Sequence, residues 1–216
     1  MFNRIKCKDH ESWLAERQKG IGGSDAATIL GLNPYKTNQE LYREKIGLII
    51  PEDISAKPYV KYGINAEGSL RQLFRLDYPD YKVYSRNNEI LRNKKLPYLQ
   101  ASVDGELTDP EGRKGILEVK TTTILRSMQK EQWRDRVPDN YYCQILHYLL
   151  VTGYEFAILK AQMKYEYPDK MKLVTNHYHF EKSDLIDDLK TLLRAEVKFW
   201  DHIVNEQEPD LLLPAI

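Results

Sequence analysis

Apolar and polar residues alternate with period two from Leu99 to Thr121, interrupted once in the middle. The interruption, Asp109-Pro110-Glu111-Gly112-Arg113, is a turn signal: Pro fits its start and Gly112 fits a left-handed position. Folding the two strands about Glu111 sets Asp104 opposite Glu118 and Ser102 opposite Lys120. One face of this hairpin then carries Ser102, Asp104, Glu118 and Lys120, and the other carries the apolar Ala101, Val103, Leu117 and Val119.

The rest of the chain reads as helices and strands in mixed order. Residues 9–20 predict a short helix capped by Asp9 or Ser12, with Trp13 and Leu14 turned inward. Gly20-Ile21-Gly22-Gly23 leads into Ser24, an N-cap for an apolar helix that stops at Gly31. Thr37 or Asn38 opens a helix to Ile46, on which Glu40, Arg43, Glu44 and Lys45 form a solvated face. After a loop over 48–57, Pro58 to Leu76 predicts a longer helix with an apolar side at Ala66, Leu70, Leu73 and Phe74. Tyr81 to Arg92 predicts one or two strands turning at Asn87-Asn88. Ile124 to Asp135 reads as helical, and Pro138-Asp139 start a buried helix over Asn140 to Val151, closed by Gly153. Tyr154 to Met163 and Leu173 to Phe180 predict two strands joined by a loop containing Pro168. An amphipathic helix over Glu181 to Asn205 follows. The tail, Pro209 to Ile216, packs back on the core or reaches a neighbouring subunit. The expected class is α/β.

Composition narrows this picture. A length of 216 with 42% hydrophobic residues suits one globular domain over residues 1–216. The 32 basic and 32 acidic residues cancel, so any nucleic-acid surface has to be a local one. Cys7 and Cys143 are too few for the four thiolates of an iron–sulfur cluster, and their spacing indicates no disulfide. There is no apolar signal region and no run near 18 apolar residues, so a soluble cytoplasmic protein away from any membrane is expected.

The chemistry concentrates on the hairpin. Side chains directly opposed across antiparallel strands are roughly 5 Å apart at Cβ, and two carboxylates there repel unless a positive charge intervenes. A divalent cation that prefers oxygen, such as Mg²⁺, resolves the repulsion; an exposed face with a salt bridge is the plainer alternative. Lys120 points to the same face, where it can handle a proton or stabilise an anion. The glycine loop before Ser24 is either a plain capped helix or an anion site. Glu67 borders the apolar stripe of its helix, either as a paired side chain or as a third acid aimed at the hairpin, and Gly63 one turn earlier leaves room for a close approach. Gln144 and Tyr148 share a helix face at i, i+4. Arg126, Lys130, Arg134 and Arg136 follow the hairpin, and either meet phosphates or form a solvated face. His177 and His179 alternate on a strand with no third metal ligand nearby.

Asp104 … Glu118-Val119-Lys120 resembles the PD-(D/E)xK nuclease signature, with Val103 where that superfamily has Pro. Around it stand Arg17, then Gly-Ile-Gly-Gly-Ser24-Asp-Ala-Ala, Gly31-Leu-Asn-Pro-Tyr, Glu44-Lys45-Ile-Gly47, Gly63-x-x-x-Glu67, Ser102-x-Asp104-Gly105 and Gln144-x-x-x-Tyr148. In this order the chain resembles the lambda exonuclease and YqaJ-type viral recombinase group of phage exonucleases. The resemblance implies a restriction-endonuclease-like core, a mixed central sheet flanked by helices. It implies that Asp104 and Glu118 hold Mg²⁺, or Mn²⁺ in its place, helped by the Val119 carbonyl and by Glu67. Lys120 then orients or activates the attacking water, and Gln144 and Tyr148 support the site. Arg17, Ser24 and Ser102 match the group's pocket for a DNA 5′-phosphate. The implied activity is 5′→3′ exonuclease action on double-stranded DNA ends, leaving 3′ single strands for a single-strand annealing protein. The implied assembly is a ring-shaped homotrimer. An endonuclease or nickase on the same fold, and a non-catalytic DNA-binding or assembly protein, are the alternatives.

Overall fold

The computed structural model of the chain describes residues 2–125, 127–167 and 169–213. Its strands are β1 (Phe2–Lys6), β2 (Lys82–Tyr84), β3 (Glu89–Asn93), β4 (Gln100–Ala101), β5 (Gly105–Thr108), β6 (Lys114–Ile124), β7 (Phe156–Tyr167) and β8 (Lys170–Glu181). Its helices are α1 (His10–Arg17), α2 (Gly23–Ile29), α3 (Asn38–Lys45), α4 (Pro58–Asp77), α5 (Ser127–Gln132), α6 (Asp139–Thr152) and α7 (Ile186–Val204), the last preceded by a 3₁₀ turn at Lys182–Leu185.

A five-stranded sheet runs in the order β2-β5-β6-β7-β8. Only β6 and β7 are parallel. Parallel neighbours need a crossover, and α5 and α6 supply it. Alternation along β6 sends Leu117 and Val119 to one face and Ile116 and Glu118 to the other. On the first face Leu117 and Val119 meet Leu70 and Phe74 of α4. Phe74 is fully buried, which stabilises this layer by roughly 1.5–3 kcal/mol. On the second face Ile116 joins a larger core with Ile145 and Leu149 of α6, Leu192 of α7 and Ala27 of α2.

A second sheet of three strands, β1-β3-β4, lies alongside. Glu106 on β5 pins the two together: Arg4 of β1 donates to it through Nη1 and Nη2, at 2.7 and 2.6 Å, and Tyr154 hydrogen-bonds to the same carboxylate. The segment over 209–213 packs back on the core, where the Asn38 amide donates to the Asp210 carbonyl at 2.7 Å and accepts from Leu212 N–H at 2.9 Å. Cys7 and Cys143 are free thiols.

The hairpin register is as the alternation predicts: Gly105 pairs with Leu117 and Thr108 with Lys114. The turn closes through Gly112 at φ +85°. The ladder stops at Gly105, however, and Ala101 belongs to the other sheet. Residues 102–104 cross between sheets, so Ala101 and Val103 do not share an apolar face with Leu117 and Val119.

Other corrections are local. Gly22, not Ser24, is the N-cap of α2, and Ser24 lies in its first turn. Leu14 and Leu73, expected inside, are each 47% exposed. Strand β6 runs on to Ile124, so the helix expected over Ile124 to Asp135 is confined to α5. His177 is not a plain surface residue: its ring meets Phe74 and Tyr78 edge-on. Strand β1 has no counterpart in the hydropathy reading. Arg126, Pro168 and the tail over 214–216 lie outside the described residues.

Candidate functional site

Because β5 begins only at Gly105, the Val119 N–H lacks a partner in the ladder with β5. The Asp104 carboxylate accepts it at 2.8 Å. Asp104 is therefore held by the backbone of the strand that carries Glu118 and Lys120. Glu118 is 2% exposed. Its Oε1 accepts from Lys120 Nζ and from Gln144 Nε2, both at 2.7 Å. Its Oε2 is buried with no hydrogen-bond partner among the described residues. Gln144 Nε2 also donates to the Tyr148 hydroxyl at 2.7 Å, and that hydroxyl donates to the Ser102 carbonyl at 2.8 Å. The i, i+4 spacing on α6 thus spans from the carboxylate to the crossing segment.

Electrostatics follow from this crowding. Burial first, then the charge of Glu118, pushes the Asp104 carboxyl well above its ordinary range. Burial also raises Glu118, against the pull of the Lys120 charge. Burial opposes the Lys120 ammonium, but Glu118 and Asp104 outweigh it and its pKa rises. The Tyr148 phenol is raised well above normal, first by burial and then by both acids, so it remains a neutral donor. The cluster has an excess of negative charge and one orphaned carboxylate oxygen.

The structure sets the glycine loop beside these acids. The Arg17 guanidinium stacks on Trp13, 4.6 Å from the ring centre, and donates to Ser24 Oγ at 3.3 Å. Trp13 Nε1 donates to Ser102 Oγ at 3.2 Å. A single cavity of about 560 Å³ is lined by Arg17, Ser24 and Ser102 together with Glu67, Asp104, Glu118, Lys120, Gln144 and Tyr148. Of the residues assigned to the site by the resemblance, only Val119 does not line it. Lys130, Arg134 and Arg136, the described members of the basic run after the hairpin, do not line it either.

Glu67 reaches the cavity paired with Arg71, whose Nη1 donates to Glu67 Oε1 at 2.6 Å and to the Asp104 carbonyl at 2.7 Å. Among the described residues no three His, Cys, Asp or Glu side chains converge as a metal-binding group. The donor set nevertheless fits a hard cation. Asp104 and Glu118 offer hard carboxylate oxygens in one place, and one of them, Glu118 Oε2, is buried without a partner among the described residues.

Four residues at the site were not foreseen as part of it. Trp13 carries Arg17, and Arg71 links α4 to the crossing segment. Asp25 accepts from Gly22 N–H at 2.9 Å, and Lys45 pairs with it at 2.8 Å while donating to the Gly20 carbonyl at 2.7 Å. Lys45 and Glu44 are therefore not a solvated face: their side chains are 8% and 11% exposed. Burial works against the Asp25 carboxylate, but Lys45 and the Gly22 N–H hold its pKa below normal. The sequence signal was that Asp25 and Lys45 both belong to blocks matched by the resemblance.

The family model for the YqaJ-like viral recombinase domain matches residues 12–155. The uncharacterized protein YqaJ of Bacillus subtilis (strain 168) is 34% identical over 208 residues, 93% of this chain. The chain spans 59% of that relative's length. Among solved structures, the alkaline exonuclease LHK-Exo of Laribacter hongkongensis matches with a TM-score of 0.63 at 18% identity, covering 90% of this chain and 95% of that one. A phage related exonuclease from Haemophilus somnus 129PT matches at 0.54 and 16% identity, covering 87% and 96%. These likenesses bear out the restriction-endonuclease-like α/β fold.

Proposed function

The chain belongs to the YqaJ-like viral recombinase family, and from that footing we propose that it is a Mg²⁺-dependent 5′→3′ exonuclease acting on double-stranded DNA ends. It leaves 3′ single strands for recombination by single-strand annealing. The observation that carries this reading is the shared cavity: the acid pair and the Arg17–Ser24–Ser102 group face one space. The names of the structural relatives, both exonucleases, support it.

Asp104 and Glu118 would hold the cation, Mg²⁺ or Mn²⁺ in its place, and Glu67 and the Val119 carbonyl would complete its ligands; Val119 does not line the cavity, but its N–H already faces Asp104. A bound divalent cation supplies hydroxide at neutral pH and offsets charge on the leaving oxygen. Lys120, anchored on Glu118, positions the attacking water. Gln144 fixes the Glu118 carboxylate, and Tyr148 fixes Gln144 and the Ser102 carbonyl. Arg17, Ser24 and Ser102 take the terminal 5′-phosphate through a cation and two hydroxyls. That grip sets the distance from the strand end to the acids, and so favours release of nucleotides from the 5′ end. The partners are DNA ends, further copies of the chain in a ring trimer, and an annealing protein.

The test is digestion of linear duplex with 5′-phosphate or 5′-hydroxyl ends in Mg²⁺ by the native protein and Lys120→Ala. The native protein releases nucleotides, faster from phosphorylated ends; Lys120→Ala does not; closed circular plasmid survives. Absence of Mg²⁺-dependent release by the native protein refutes the enzyme. Equal rates on both ends refute the phosphate pocket, and plasmid cutting favours the endonuclease.

A further inference from the structure

A second cleft, of about 230 Å³, opens near the C-terminal end of β6. Thr122, two residues along β6 and on the same strand face as Lys120, lines it. Two residues of strand advance the chain by roughly 6.6 Å. Tyr141 links the two: its ring lines the second cleft and lies 5.2 Å from Nζ of Lys120, which lines the acid cavity.

The lining chemistry differs from that of the acid cavity. Tyr35 is 87% exposed, on a turn that is braced rather than loose. Its N–H donates to Asn33 Oδ1 at 2.9 Å, and the Asn33 amide donates to Thr28 Oγ1 on α2 at 2.8 Å. Trp133 backs the Tyr141 ring at a centroid distance of 5.5 Å. The Asn140 amide lines the cleft with no side-chain hydrogen bond among the described residues. No Lys or Arg lines the cleft among the described residues, whereas the carboxylate of Asp139 does. Such a lining repels phosphate and suits a neutral, flat, hydrogen-bonding group. The volume falls below the roughly 300–1,000 Å³ of drug-sized ligand sites, which leaves room for a single ring system.

We propose that this cleft is a nucleobase subsite, in which Tyr35 and Tyr141 take the face of one base and Asn140 its edge, one nucleotide from the scissile phosphate. The inference rests on the nuclease reading above and adds how the strand is kept in register there. Aromatic faces hold bases with little regard to identity, so the subsite grips without selecting sequence.

The test is fluorescence anisotropy of a dye-labelled, 5′-phosphorylated duplex in EDTA, with an abasic site placed in turn at each of the first three nucleotides. Base–aromatic stacking contributes about 1–3 kcal/mol, and about 1.4 kcal/mol is tenfold in affinity. The native protein loses about tenfold at one position. Tyr35→Ala binds the intact duplex about tenfold more weakly and no longer responds to that abasic site, whereas Tyr35→Phe behaves as native. Duplex binding with no position-dependent loss, or Tyr35→Ala indistinguishable from native, overturns the base subsite alone. No duplex binding by the native protein overturns this subsite, whereas the nuclease reading falls only with the Mg²⁺-dependent nucleotide release described above.

Discussion

Replacing Asp104 by Asn is expected to stabilise the metal-free protein. Asp104 accepts from the N–H of Val119, the residue after Glu118, and the Glu118 charge raises its pKa, so the two carboxylates are neighbours, taken as roughly 5 Å apart. At an effective dielectric of about 20, like charges at that separation repel by about 3 kcal/mol. The Lys120 ammonium, 2.7 Å from Glu118, returns part of this, leaving about 1–2 kcal/mol to be relieved. Asn keeps the acceptor for Val119 N–H, so the crossing segment stays tethered. For a chain of 216 residues, each kcal/mol moves Tm by about 2–4 °C. The pH dependence has a definite sign. The folded pKa of Asp104 is raised. The native protein is therefore relatively most stable below the unfolded value of about 3.9, and loses that advantage as pH rises through the folded value. Thermal unfolding in EDTA at pH 8 should show Asp104→Asn melting about 2–8 °C above native, with the gap closing near pH 4. Mg²⁺ should raise the native Tm more than that of the variant. A variant that melts at or below native at pH 8 in EDTA, or a gap that persists at pH 4, refutes the reasoning.

Two other perturbations probe what surrounds the site. A Cβ at Gly23 comes within 2.5 Å of Tyr148 Cε1 and 2.9 Å of Gln144 Cγ. Gly23→Ala should therefore cost about 1–3 kcal/mol in denaturant unfolding and lower nuclease activity, because α2 must move off the two side chains that support Glu118. His147 and Glu196 form a fully buried pair at 2.6 Å between α6 and α7, with the second imidazole nitrogen 2.7 Å from the Gln100 carbonyl. Burial opposes the imidazolium but Glu196 outweighs it, so the folded His147 pKa is raised. The pair's contribution should be complete below about pH 6.5 and lost as pH rises through the folded value. His147→Gln should cost about 3–5 kcal/mol at pH 6, and the double variant His147→Gln/Glu196→Gln much less. Equal costs for the single and double variants in urea melts at that pH would contradict the ion pair.

Much of this was legible in the sequence, and the failures share a cause. The turn at Asp109–Arg113, the register about Glu111, α4 and α6 follow from local signals: a left-handed glycine, period-two alternation and period 3.6 stripes. Their face assignments fail where a segment changes partners. Ala101 alternates correctly with Val103, yet pairs with β3 in another sheet, a choice made by residues far along the chain. Lys45 reads as a surface residue from its own helix and is buried only because Asp25 and the Gly20 carbonyl meet it. Trp13 and Ser102 are 89 positions apart, so no period joins them. Strand β1 is an edge strand with mostly exposed side chains, and half-buried alternation has nothing to record there.

The place where pairing fails is also the place where the chemistry collects. Had β5 extended to Ser102, the ladder would have used the Val119 N–H and laid a strand across the acids. Instead the chain joins this sheet only after Asp104, and three consequences follow from that late entry. Asp104 is drawn onto the vacant N–H, Ser102 is carried toward Trp13 and Arg17, and Glu118 opens onto a cavity rather than a neighbouring strand. Gly105 suits the point of entry, since a Cβ there would crowd Leu117 at 3.2 Å. The acid pair and the Arg17 group are thus two ends of one short crossing, so a change in its length should displace both together.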